Sequence, residues 1–208
     1  MGLSITVIII IVTVLISFYA WNNGNVYFGF MMNPYEVFKQ KQYWRMITSG
    51  FVHSGYVHLG FNMFTLFFFG RVVEQIFTMV MPGAGKMVFI IFYLTAIVIS
   101  DLPTAIKNRH IPGYNSLGAS GGVSAVVFSS IFFMPLNDIC LYGILCIPGF
   151  ILGLIYIVYS YSQGKNSSDN INHEAHLYGA IYGLAFSIVV YPEAIPAFFD
   201  QILSYRPF

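Results

Sequence analysis

Two short strings carry the chemistry of this chain. In Gly118-Ala119-Ser120-Gly121-Gly122 a serine stands among glycines at the mouth of an apolar run, and in His173-Glu174-Ala175-His176-Leu177-Tyr178-Gly179 a histidine opens another. A hydroxyl is a poor nucleophile until a base takes its proton, and an imidazole is suited to that task near neutral pH. Polar groups in apolar surroundings must find partners or cost several kcal/mol. Ser120 and His176 therefore read as a nucleophile and its general base.

A second polar pair precedes them. His58 and Asn62 are four residues apart in an apolar run, so their side chains leave one face of a helix. They are placed either to receive an anion or to bond neighbouring helices as interhelical glue. The acids Glu36, Glu74, Asp101, Asp138, Asp169, Glu174, Glu193 and Asp200 all fall at the ends of apolar runs or in connections. Glu174 is too close to His176 along a helix to share its face. The reading by elimination is a Ser-His dyad without an acid, in a medium where a carboxylate is costly to bury.

Metal chemistry is not expected. His173-Glu174-Ala175-His176 spaces its histidines by three residues where the zinc motif His-Glu-x-x-His needs four. A cluster of His53, His58, His173 and His176 would leave the Gly-Ala-Ser-Gly string without a purpose, and His110 beside Arg109 reads as a solvated loop residue. No cofactor is implied. Cys140 and Cys146 lack metal-ligand spacing and read as buried bystanders rather than as a disulfide framework.

The medium follows from composition. Of 208 residues 57% are hydrophobic and 8% charged, with a mean hydropathy of +0.73, whereas soluble domains carry about 25% charged residues. The chain reads as an all-α polytopic membrane protein. Its net charge of +1 offers no basic patch for a nucleic-acid partner. Six apolar stretches approach the roughly 20 residues needed to cross a bilayer: 3–20, 56–79, 84–101, 118–135, 139–160 and 175–192. The first is read as a helix rather than a cleaved signal, because no Lys or Arg precedes it and Trp21-Asn22-Asn23 is a poor cleavage site. Between the first two lies a long aromatic-rich connection, 21–55, suited to the membrane interface. The tail from Pro192 reads as a short amphipathic or irregular end, and the whole of 1–208 as one domain.

Helix packing must bring the dyad together. Gly179 and Gly183 follow His176 on one face as Gly-x-x-x-Gly, and Gly121 and Gly122 bare the face beside Ser120. Such small residues let helix backbones approach closely in a membrane.

Taken in order, these features resemble the rhomboid family of intramembrane serine proteases over about 44–185: Trp44-Arg45 in the first connection, His53, His58 and Asn62, Gly70 with Glu74, Gly118-Ala119-Ser120-Gly121, and Ala175-His176 followed by Gly179. The resemblance implies a membrane-embedded protease domain with its core at about 44–192, built as a six-transmembrane-helix bundle with a long interfacial first loop. It implies that Ser120 is the nucleophile, that His176 is general base and later acid, and that His58, Asn62 and the Ser120 amide form an oxyanion hole. Trp44, Arg45 and Glu74 would be structural, with Gly118, Gly121, Gly179 and Gly183 supporting the site. Substrates would be transmembrane segments of proteins in the lipid bilayer of the cell's plasma membrane, entering laterally past the fifth span.

Two features depart from the family pattern. Some members carry a tyrosine four residues after the serine, where its ring packs on the histidine; here that position is Ser124. The family usually keeps its N-terminus in the cytosol, which would leave Lys39, Lys41, Arg45, Lys107, Arg109 and Lys165 outside against Arg71, Lys86 and Arg206 inside, contrary to the positive-inside rule. The alternative functions are a catalytically inactive rhomboid-like protein that binds membrane clients, disfavoured by the presence of both Ser120 and His176, and a six-helix transporter, which would show charged residues or broken helices at midplane.

Overall fold

The apolar runs fold as helices. A computed structural model describes residues 4–141, 144–166 and 171–206, with the side chains at 141 and 166 left out. It is a mostly helical bundle in which α1 (Ile5–Trp21) is followed by three short helices, α2 (Gly24–Phe30), α3 (Pro34–Lys39) and α4 (Arg45–Thr48). Next, α5 (Tyr56–Thr65) and α6 (Arg71–Val80) are joined by a π-helical turn at Leu66–Gly70. They form one continuous helix of 25 residues. The remaining helices are α7 (Gly85–Lys107), α8 (Ser120–Phe133), α9 (Gly149–Asn166), α10 (His173–Val190) and α11 (Ala194–Ser204). Among the described residues, Tyr56–Val80 and Gly85–Lys107 are long and apolar enough to cross a membrane, and α1 and α8 are shorter apolar helices.

Three boundaries differ from the sequence expectation. The third run continues past 101, and α7 carries Asp101 and Pro103 into its last turns. The fourth is a helix of only 14 residues. In the fifth, 139–160, the helix begins only at Gly149, because the first residues pair as an antiparallel hairpin of β1 (Asp138–Leu141) and β2 (Leu145–Pro148). Pro148 has no N–H to give and its ring crowds the preceding turn, which disfavours a helix running through it from 139. The cysteines are corrected with it: Cys140 and Cys146 are opposite one another in the hairpin, exposed and joined as a disulfide. The sequence reading weighed a multi-bridge framework and overlooked a single local staple.

The long first connection is folded by side-chain bonds to backbone. Arg45 Nη1 donates to the carbonyls of Phe28 (2.7 Å) and Met31 (2.9 Å), while its Nε donates to Gln42 Oε1. Asn33 caps α3 through Glu36 N–H and reaches across to Pro112 O at 2.9 Å. Backbone bonds between Met32 and Ser116 complete the attachment, so this connection and the one before α8 lie at the same end of the bundle.

The helices are held by one aromatic core and by close backbone contact. Phe77 of α6 meets Phe89 and Phe92 of α7, Phe133 of α8 and Phe186 of α10. A Cβ on Gly179 would fall on the carbonyl oxygen of Gly121, and one on Gly183 on that of Ala125. Only hydrogen at these two positions lets α10 lie directly on α8, where Ser187 Oγ also donates to Ser129 Oγ at 2.7 Å. At the bundle's other side Glu74 caps α1: its carboxylate accepts from the N–H groups of Ile5 and Thr6 and the hydroxyls of Ser4 and Thr6 at 2.5–2.9 Å. An anion there meets the helix's unpaired donors and the positive end of its dipole.

His53 knots α1 to the start of α8. Its Nε2 accepts the Ala119 N–H at 3.2 Å, so the ring proton sits on Nδ1, which faces Ser17 Oγ at 3.1 Å. That hydroxyl donates onward to Phe51 O, and Trp21 Nε1 donates to His53 O. Burial, and then the neighbouring His58, push the His53 imidazole down to about 3 from an ordinary 6.5.

Two outcomes follow from this packing. Gly179→Ala should lower stability in detergent by about 1–3 kcal/mol through overpacking, whereas Gly29→Ala, with nothing within 4 Å of the new methyl, should be close to neutral in the same unfolding measurement. His53 must stay neutral when folded but protonates freely when unfolded. Its contribution is therefore complete above pH 6.5 and is lost as pH falls from there toward about 3. Thermal unfolding scans across that interval should show declining stability, and the decline should be shallower in His53→Gln.

Candidate active site

Ser120 is positioned by the turn that precedes it. Gly118 has φ 115°, a left-handed conformation that suits glycine, and a Cβ there would fall on the His58 imidazole. The Gly118 N–H donates to Ser49 O at 2.9 Å and the Ala119 N–H to His53. The chain then enters α8 with Ser120 as its first residue, so the Ser120 N–H is among the donors that a helix leaves without an intrahelical partner.

His176 arrives from α10, whose first turn is pinned to α7. Asn172 Oδ1 caps α10 by accepting the Ala175 N–H at 3.1 Å and also accepts from Thr104 Oγ1. Its Nδ2 donates to the buried carboxylate of Asp101 at 3.1 Å. On the rim Lys107 pairs with Glu174 at 2.8 Å. One turn beyond His176, Gly179 rests on Gly121. Between these two restraints His176 Nε2 stands 2.8 Å from Ser120 Oγ.

The other expected residues lie partly beside this turn and partly elsewhere in the bundle. Asn62 is buried, and its Nδ2 donates one hydrogen to His58 O at 2.9 Å; an amide nitrogen carries two, so this bond does not exhaust it. His58 Nδ1 lies 3.1 Å from Ser54 Oγ, with the ring against the Gly118 turn. Arg45 and Glu74 hold the first connection and α1 as described. Trp44 is 54% exposed, and its bonds are backbone ones at the start of α4. Among the described residues no three His, Cys, Asp or Glu side chains gather as metal ligands would.

The sequence reading missed the residues that aim α10. A small polar recess beside Ser120 is lined by Ser100, Asp101, Ser116, Gly118 and Asn172. Asp101 reads from the sequence as the end of an apolar run, and Asn172 is not singled out there. The signal for Asn172 was present, since an asparagine just before an apolar helix is a cap signature. That its amide reaches Asp101 is a tertiary fact no local rule carries.

A hydroxyl hydrogen-bonded to an imidazole at a helix N-terminus has the groups that acyl transfer uses: a hydroxyl, a nearby base and a backbone donor for developing negative charge. Known proteins are similar to the chain over the stretch that holds these parts. A model of the rhomboid domain matches residues 40–193. The chain is 29% identical over 163 residues to the mitochondrial RHOMBOID-like protein 12 of Arabidopsis thaliana, covering 73% of this chain and 48% of that one. Over 154 residues it is 27% identical to YdcA of Bacillus subtilis (strain 168), named among the rhomboid proteases, covering 71% and 67%. Rhomboid protease GluP of the same strain is 25% identical over 146 residues, covering 70% of this chain and 26% of its own. The chain thus spans about half the length of the Arabidopsis relative and a quarter of GluP. A domain match that begins just before Arg45 and ends just beyond α10 takes in every residue that builds the Ser120 turn and aims His176, and the chain belongs to the rhomboid family.

Proposed function

We propose that this chain is an intramembrane serine endopeptidase that cleaves transmembrane segments of membrane proteins with a Ser120–His176 dyad. The observation that carries the reading is the 2.8 Å contact between Ser120 Oγ and His176 Nε2 at the N-terminus of a buried helix. Six spans, α1, α5–α6, α7, α8, α9 and α10, form a single membrane-embedded domain over 1–208 with its core at 44–192. Side chains such as Leu15, Val57, Phe61, Leu154 and Val189 are exposed on the outside of the bundle, as lipid-facing residues would be. With 14 residues, α8 is about 21 Å long at the usual rise, shorter than the ~30 Å hydrocarbon layer. A central helix so short, covered by its neighbours, supports a nucleophile submerged below the membrane surface in a protein-lined cavity open to water.

In this mechanism His176 Nε2 takes the Ser120 proton as Oγ attacks the scissile carbonyl. The oxyanion is received by the Ser120 N–H, His58 and Asn62. His176 then gives the proton to the departing amine, and a water, deprotonated by the same imidazole, releases the acyl group. Hydrogen bonds aimed at charge that develops only in the transition state accelerate the chemical step rather than strengthen substrate binding.

Detergent-purified protein treated with a fluorophosphonate probe should be labelled at Ser120, and mass spectrometry should find fragments of single-span membrane proteins incubated with it. Ser120→Ala should abolish both at unchanged thermal stability, and His176→Ala should be inactive. Labelling that persists or maps to Ser124 would overturn the assignment; absence of labelling and cleavage alongside retained binding of membrane clients would mark an inactive rhomboid-like protein. Asn62→Ala should lower kcat about ten- to a thousandfold with KM little changed. Turnover at the parental rate by that variant would make Asn62 interhelical glue.

A further inference from the structure

A neutral imidazole carries a single N–H, so a histidine that gives a hydrogen bond to a developing oxyanion must present the right nitrogen with the proton on it. Packing does not decide this for His58. Its ring is confined on one side by the Gly118 turn, where a Cβ would fall 2.5 Å from Cε1 and 2.8 Å from Nε2 but 3.6 Å from Nδ1. On another side the His53 ring meets it edge-on, with centroids 5.0 Å apart. Half a revolution about the Cβ–Cγ bond exchanges Nδ1 with Cδ2 and Nε2 with Cε1, atoms that fill nearly the same space. Steric contact therefore cannot tell the two orientations apart, and only a hydrogen bond can.

Such a bond comes from Ser54, in the bend that precedes α5, whose Oγ lies 3.1 Å from His58 Nδ1. Among the described residues it is the one hydrogen-bond partner of the ring, and the ring is its own one partner. The bond ties Nδ1 to the serine and leaves the Cε1–Nε2 edge against Gly118, two residues before Ser120. A hydroxyl both donates and accepts. With Ser54 donating to Nδ1, the ring proton stays on Nε2, the nitrogen at the turn that leads to Ser120. Water would also satisfy Nδ1, but water is not tethered and imposes no orientation on the ring. We infer that Ser54 is a positioning residue for His58, its hydroxyl fixing the ring's orientation and donating to Nδ1 so that Nε2 faces the Ser120 turn with its hydrogen free to be given. This rests on the reading of His58 as an oxyanion donor above.

The test measures kcat and KM on one cleaved membrane protein, with a thermal scan, for the parent, Ser54→Ala, Ser54→Thr, His58→Ala and the Ser54→Ala/His58→Ala double variant. Ser54 is exposed, so its variants should fold as the parent does. Ser54→Ala should lose about two- to tenfold in kcat, the effect of one ordinary hydrogen bond, with KM and thermal stability little changed. Ser54→Thr keeps the hydroxyl and should retain most of the parental kcat. His58→Ala should lose about ten- to a thousandfold, as for a removed oxyanion donor. Adding Ser54→Ala to it should cost nothing further, because the serine acts only through the ring. Nitrogen NMR of histidine-labelled protein phosphonylated at Ser120, with the His58 signals identified by their loss in His58→Ala, should place the proton on Nε2 in the parent and divide it between the two nitrogens in Ser54→Ala. Parental kcat in Ser54→Ala beside a slowed His58→Ala overturns this inference alone, as does a Ser54→Ala loss that persists undiminished without the His58 ring. If His58→Ala turns over at the parental rate, or the parent cleaves nothing, the oxyanion reading falls and this inference with it. Should His58→Ala fail to fold, equal kcat in Ser54→Ala and Ser54→Thr overturns the inference.

Discussion

The contact on which the rest depends is that between two backbones. Where α10 crosses α8, hydrogen atoms at Gly179 and Gly183 touch the carbonyl oxygens of Gly121 and Ala125. A side chain at either glycine would force the two helices apart or turn one against the other, and the 2.8 Å spacing between Ser120 Oγ and His176 Nε2 is set by the present close contact. The glycines therefore act on chemistry through geometry. Gly179 lies one turn from His176 and Gly121 is next to Ser120, so the close approach of the helices falls beside the Ser120–His176 contact.

Lipid tails are as apolar as leucine, so burying hydrocarbon against hydrocarbon gives helices in a membrane little reason to choose one arrangement over another. Specificity must come from packing detail and from polar groups that have only one way to be satisfied. The molecule uses several such groups, each linking segments far apart in sequence. Glu74 on α6 supplies the cap that α1 lacks of its own. His53 accepts from Ala119 on one nitrogen and faces Ser17 on the other. Asn172 spans Asp101, Thr104 and its own helix. Losing either partner of such a bond strands a buried polar atom, which costs more than the bond itself contributes.

What could be read from the sequence follows the same division. Helix identities were legible because long apolar runs leave few alternatives, and the pairing of Ser120 with His176 was legible because a serine among glycines and a histidine before Gly-x-x-x-Gly are local patterns. The hairpin at Asp138–Pro148 was not, since hydropathy alone cannot tell an apolar strand pair from the start of a helix; Pro148 was the mark that should have divided the run. The end of α7 was misplaced for the opposite reason. Asp101 looked like a terminus because a carboxylate is expensive in an apolar helix, and only the tertiary bond from Asn172 makes it tolerable there. The roles of Glu74 and His53 as staples depend on which helix ends they meet, and no spacing rule contains that.

A histidine that must face a serine on another helix asks much of its scaffold. In a soluble triad the carboxylate fixes the orientation of the imidazole by a bond to the ring itself; here the helix that carries His176 is itself restrained at two points. The first turn of α10 is pinned by the Asn172 cap, and through Asn172 to Asp101. Its next turn is pinned by Gly179 against α8. Two fixed points a turn apart leave a helix segment little freedom to rotate, and rotation is the motion that would swing His176 away from Ser120. The buried carboxylate of Asp101 thus serves the histidine at one remove, by holding the base of the helix that carries it.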